Sequence, residues 1–161
     1  AIVREAAEPH LDRGKQVLFQ IDESRDQPII ARRPEIIHGL RNLIQNAVDF
    51  SRANVWLETS WTDELITVRI LDDGRGYPVQ MLGRIGDPFM RRRRTESDRK
   101  ARPEYEGMGL GLFIAKTLLE RTEAKLRFAN GTDHQHKHAD GIARRGGLIL
   151  DLDSLAWHPL N

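Results

Sequence analysis

Asn42, Asn46 and Asp49 recur in "LRNLIQNAVDF" (40–50), at intervals that set all three on one stripe of a helix. An amide oxygen is a hard, uncharged cation ligand, so Asn46 suits a Mg²⁺ ion that bridges phosphate oxygens. For this helix taken alone, a plain solvated face is the alternative. "LDDGRGYP" (71–78) ends an apolar run on Asp72 and continues through Gly74 and Gly76. A carboxylate at a strand end can accept a hydrogen bond from an adenine amino group, and the glycines leave room for the ring. An ordinary Asp-Gly turn is the alternative. "EGMGLGLFIAK" (106–116) sets Gly107, Gly109 and Gly111 against the start of an apolar run. Glycine costs helix stability, so it marks a place where something approaches the backbone closely. A helix start with unbonded N–H groups is a phosphate site. "IGDPF" (85–89) precedes Arg91 to Arg94. Phe89 is an aromatic in a polar stretch, suited to pinning a loop to the core. The arginines either meet phosphates or an acidic partner or form a solvated charge run.

These residues need positioning. "REAAEPHLDRG" (4–14) reads as a helix end broken by Pro9 and closed by Gly14. "KQVLFQID" (15–22) reads as a strand, and "QPIIARR" (27–33) as a short extended piece. Pro34 and Glu35 open a helix that runs to about Ser51, with Ile36, Leu40, Leu43 and Ala47 on one face and Ile37, Ile44 and Val48 beside it. "NVWLETSW" (54–61), a "TDE" turn and "LITVRILDD" (65–73) form a hairpin whose second strand is β-branched and central. From Gly74 to Gly107 no period holds, and a loop of that length in a compact domain is often a functional lid. A helix from about Gly109 to Glu123 follows, then "KLRFAN" (125–130) and "GGLILDL" (146–152) as a second hairpin. Strands and helices do not alternate strictly. The fold class is therefore α+β: two layers, a mixed and mostly antiparallel sheet with helices on one face.

Composition narrows the function classes. The 161 residues suit one domain, and 39% hydrophobic residues are enough for a core. With 25 basic and 24 acidic residues, the net charge of +1 argues against a general nucleic-acid binder or direct membrane contact. The chain has no cysteine, hence no disulfide or thiolate metal site. It shows neither a membrane-span run nor a signal peptide. It opens on Ala1 rather than Met and reads as a piece of something longer. His134, His136 and His138 alternate in a polar stretch. A metal site is conceivable there, and an exposed loop is the plainer reading.

The glycine run is not the dinucleotide fingerprint, because it follows a loop rather than a strand. In order, "NLIQNAVDF", "DDGRGYP", "IGDPF" and "GMGLGL" resemble the N, G1, F and G2 boxes of the sensor histidine kinase catalytic domain. The resemblance covers roughly residues 1 to 152. "GMGLGL" with "AKTLLERT", and "DPFMRRRR", are similar to the RegB/PrrB redox-responsive kinases. The resemblance implies the Bergerat ATP-binding fold shared with gyrase, Hsp90 and MutL, with a long ATP lid.

It implies that Asp72 contacts the adenine amino group while Gly74 and Gly76 shape the base pocket. Asn46 would coordinate Mg²⁺, Asn42 would support the phosphate site, and Phe50 would lie near the adenine. Gly107, Gly109 and Gly111 would hinge the lid, with N–H groups from Gly109 through Leu110 and Gly111 to Leu112 facing phosphate and Phe89 as its anchor. Residues 1–14 would end a linker helix from a dimerisation and phosphoacceptor domain, 15–152 would be the ATP-binding domain with its lid at about 77–107, and 153–161 a tail. Two departures stand out. Asp49 occupies a place where many members carry Lys or Arg, and the lid arginines Arg91 to Arg94 are candidates to compensate. Asn42 stands where ATPase relatives carry a general-base glutamate, and an amide cannot take a proton, which disfavours hydrolysis. The acceptor histidine is absent from this chain: neither His10 nor His38 has the family's flanking residues. The implied activity is transfer of the ATP γ-phosphoryl group to a histidine of a separate domain, upstream of a response regulator, in a homodimeric, membrane-anchored bacterial sensor whose catalytic domain is cytoplasmic. A degenerate nucleotide-binding or docking module, and an ATPase or anti-sigma serine kinase of the same fold, are the competing readings.

Overall fold

The computed structural model describes residues 1–74, 76, 108–129 and 146–153, with side chains given for 1–74, 76 and 111–128. Helix α1 (Ile2–Ala7) gives way to a 3₁₀ turn at Glu8–His10. Pro9 has no N–H with which to continue the α-helical ladder, so the α-helix breaks there, as the sequence suggests. The turn at Gly14 has φ +76°, a left-handed conformation that glycine takes without penalty.

Among the described residues, five strands form one sheet in the order β1-β2-β3-β5-β4: β1 (Gln16–Ile21), β2 (Asn54–Trp61), β3 (Leu65–Asp72), β4 (Ala124–Ala129) and β5 (Gly146–Asp153). β1 and β2 are parallel because helix α2 (Pro34–Phe50) crosses between them; the other pairs are antiparallel. β3 is the middle strand, as its β-branched sequence predicts. Between β2 and β3, the Thr62 hydroxyl accepts from the N–H groups of Glu64 and Leu65 at 3.2 and 3.0 Å and fixes the turn.

Pro34 occupies the first turn of α2 with Glu35, and Ser51 ends the helix in an extended conformation with its hydroxyl donating to Val48 O at 2.9 Å. Ile36, Ile37, Leu40, Leu43, Ile44, Ala47 and Val48 are all buried. All of these but Ile37 pack with Val55, Leu57, Ile66, Val68 and Ile70 of the sheet. Truncating a side chain such as Ile44 to alanine in a core like this costs about 2–5 kcal/mol. Helix α3 (Met108–Glu120) lies against α2 with so little space that a Cβ on Gly39 would fall 2.5 Å from Leu119 Cγ. α3 stops short of Glu123. The Thr122 hydroxyl donates to Leu119 O at 2.7 Å, and Glu123 turns left-handed at φ +64°. Helices therefore cover one face of a mixed sheet, which is the two-layer α+β arrangement expected.

Candidate functional site

Strand periodicity carries the first site residue inward. Ile66, Val68, Ile70 and Asp72 share one phase of β3, and all four are buried. Asp72 is 7% exposed, and its Oδ1 accepts from Gly74 N–H at 2.8 Å. Burial pushes its carboxyl up to about 6; the Gly74 N–H opposes this, and the adjacent Asp73 charge adds to it. An acceptor desolvated in this way gains from any ligand donor that reaches it.

Gly74 is where the strand end meets the helix end. A Cβ there would lie 2.3 Å from Phe50 O and 2.7 Å from Asp72 Oδ1. Glycine is required by that approach of two backbones. Gly76 follows at φ +78°. Phe50 ends α2 and packs partly buried against the core. Asn46 and Asn42 lie one and two turns earlier on the same helix, both partly buried. The structure thus gathers Asp72, Gly74 and Phe50 at one end of the sandwich, on the helix that also carries both asparagines.

Asp73 secures this junction. Its carboxylate accepts from Arg52 N at 2.7 Å, Ala53 N at 3.0 Å, and Asn54 N and Nδ2 at 3.1 Å each. Burial alone would raise its pKa, but these donors outweigh burial and hold it below the ordinary carboxylate range. Sequence reasoning passed over Asp73, although the doubled acid before a glycine was visible.

Asp49 does not stand alone on its stripe: its Oδ1 meets Arg13 Nη1 at 2.8 Å. His10, 7% exposed, lies in the same neighbourhood, and burial and then the Arg13 charge lower its pKa, with Asp49 acting the other way and Arg41 again lowering it. Neither ring nitrogen of His10 has a hydrogen-bond partner among the described residues. Nothing in the sequence pattern links Arg13 to Asp49.

The described part of the glycine run lies at a helix start, as its sequence reading has it. α3 begins at Met108, so Gly109 and Gly111 lie within its first turns. An α-helix starting there leaves the N–H groups of Met108 to Leu110 without an intrahelical partner, while that of Leu112 falls inside the ladder. The Leu112 side chain is 2% exposed and belongs to the core. Phosphate binding at this helix start would therefore use Met108 to Leu110 rather than Leu112. Phe89, Arg91 to Arg94, Gly107, the remainder of the lid, and His134, His136 and His138 lie outside the described residues. Two cavities lined by described residues lie away from this junction. One, of about 330 Å³, is bounded by α1, residues 27–30 and Trp61; the other, of about 600 Å³, lies along Phe19 to Glu23 and Arg69. Neither includes Asp72 or Asn46, so the chemistry of the junction, rather than cavity volume, marks the site.

The neutral side-chain oxygen of Asn46 is of a type that fits Mg²⁺, an ion that takes few protein ligands. A buried acid at a central strand end, a glycine-bound backbone crossing and an asparagine-bearing helix thus meet in one α+β sandwich. The same fold is seen in the mycobacterial sensor histidine kinase MprB (TM-score 0.67, 18% identity, 99% of this chain and 94% of that one). It is also seen in full-length ShkA in complex with AMPPNP (TM-score 0.68, 20% identity, 99% of this chain and 30% of that one). Residues 31–142 match the family described as "Histidine kinase-, DNA gyrase B-, and HSP90-like ATPase", and the chain belongs to that family. It is 62% identical over 152 residues to the sensor histidine kinase RegB of Cereibacter sphaeroides, an alignment covering 92% of this chain and 33% of RegB. The chain thus spans about a third of the length of that relative.

Proposed function

We propose that the chain is the ATP-binding catalytic domain of a two-component sensor histidine kinase. It transfers the γ-phosphoryl group of ATP to a histidine on the same protein's dimerisation domain, for onward passage to a response regulator. The observation that carries this reading is the junction at Gly74, where a buried acceptor, Asp72, and the end of the asparagine helix converge. Asp72 receives the adenine amino group, Gly74 and Gly76 leave room for the ring, and Phe50 lies beside it. Asn46, supported by Asn42, would hold Mg²⁺, while Phe89 and Gly107 would serve the lid and the Met108–Leu110 N–H groups would face phosphate. When bound, Mg²⁺ neutralises charge on the β- and γ-phosphates. The protein supplies position and charge rather than covalent chemistry. Asn42 cannot accept a proton, which disfavours hydrolysis by an activated water. The identity with RegB supports a place in a membrane-anchored homodimeric sensor with this domain in the cytoplasm. No described helix is long and apolar enough to cross a membrane itself.

Titrating Mg-ATP into the 161-residue chain tests the site. Binding is expected, and Asp72→Asn or Asn46→Asp should largely abolish it; unchanged affinity in either variant breaks the assignment. Adding the dimerisation domain in trans should then yield acid-labile phosphohistidine. A stable hydroxyl ester in its place would point to a serine kinase.

A further inference from the structure

Asp49 poses a charge problem for the proposed site, on which this inference rests. It lies on the α2 stripe of Asn42 and Asn46, three residues past the proposed Mg²⁺ ligand. A lone carboxylate there would repel a triphosphate. The structure instead gives it a cation from outside the helix, with Arg13 Nη1 at 2.8 Å from Asp49 Oδ1. The segment carrying Arg13 is fastened to the same end of α2 on both sides. Before it, the buried His10 packs in beneath α2. After it, Lys15 Nζ donates to Ser51 O at 2.5 Å and to Arg52 O at 2.9 Å. Gly14, at φ +76°, makes the tight turn between them. Arg13 itself keeps 44% of its side-chain surface exposed, and Asp49 38%. A guanidinium carries five N–H donors in a rigid fork, and one Oδ1 contact engages only part of it.

We infer that Arg13 is a binding residue for the phosphate chain of the nucleoside triphosphate, and that Asp49 is its positioning residue. The acidic residue on α2 then serves the site: it aims a cation borne by the segment before β1 toward the phosphates. The opposite view, a solvated surface ion pair beside an unfavourable acid, makes contrary predictions.

Calorimetric titration of the chain with Mg-ATP and with adenosine separates them. Losing one charge-assisted phosphate contact should weaken Mg-ATP binding by about tenfold, so Arg13→Gln should lower the ratio of Mg-ATP to adenosine affinity by that factor. Asp49→Asn should also weaken Mg-ATP, although it removes a negative charge. Asp49→Arg placed on the Arg13→Gln background should restore it. The inference is overturned if Arg13→Gln leaves the ratio unchanged, or if Asp49→Asn tightens Mg-ATP as simple repulsion requires. A wild-type chain that takes neither probe overturns the proposed function and this inference together. Wild-type binding that Asp72→Asn abolishes while Arg13→Gln leaves it intact overturns the inference alone. Both substituted side chains are partly exposed, and circular dichroism of each variant confirms that it is folded before titration.

Discussion

Replacing Asp72 by asparagine should make the chain more stable at neutral pH while it removes the proposed adenine contact. The carboxyl is held at about 6 instead of its ordinary 3.8 because it is buried. That difference makes the ionised form about 3 kcal/mol less favourable in the folded chain than in the unfolded one. The folded state binds the proton more tightly, so the stability linked to it is fully present below 3.8 and is lost as pH rises through about 6. Asparagine is neutral throughout, and its Oδ1 can still accept from Gly74 N–H. Every other titrating group is common to both chains, so their stability difference isolates this carboxyl. Urea unfolding at about pH 4 and about pH 7.5 should show the variant gaining up to about 3 kcal/mol on the wild type between the two, roughly 1–2 M in midpoint. The nucleotide side follows from the same linkage. A ligand amino group favours the ionised acceptor, so wild-type Mg-ATP affinity should fall as pH drops through about 6. A stability difference that stays flat with pH would refute the burial argument.

Two further substitutions probe the junction. Gly74→Ala forces a methyl to within 2.3 Å of a backbone oxygen that cannot swing aside, so it should destabilise the chain by about 1–3 kcal/mol and weaken Mg-ATP binding, read by thermal unfolding and titration; a silent substitution would show that the strand end and helix end do not meet so closely. Asp73→Ala removes the acceptor of four hydrogen bonds from residues 52 to 54 and should cost about 1–3 kcal/mol. Because the Asp73 pKa is lowered, that stabilisation is present above the ordinary carboxylate pKa and vanishes as pH falls through its folded value, so wild type and variant should converge in acid.

Much of the framework was readable because the periods are clean. The alternation of Leu65–Asp72 set the inward phase of Asp72, and the apolar run at Val55, Trp56 and Leu57 marked its hairpin partner. The buried stripe of α2 followed from its apolar spacing. The end of α3 was misread because a side chain decides it: the Thr122 hydroxyl competes for a helix carbonyl. Asp73 and Arg13 could not be assigned from pattern. Their partners are distant in sequence, and a clasping aspartate or a pairing arginine has the same composition as a solvated one.

The contact between α1 and α2 has a mechanical consequence. Ala6 and Ala7 are wholly buried, and Arg4 lies 4.5 Å above the Phe19 ring of β1. Methyl groups pressed into a neighbouring element leave no long, pliable side chain to absorb a displacement. A push or twist delivered along α1 is therefore handed directly to the element that bears both asparagines, which makes the first helix a stiff lever arm on the proposed seat of the phosphates.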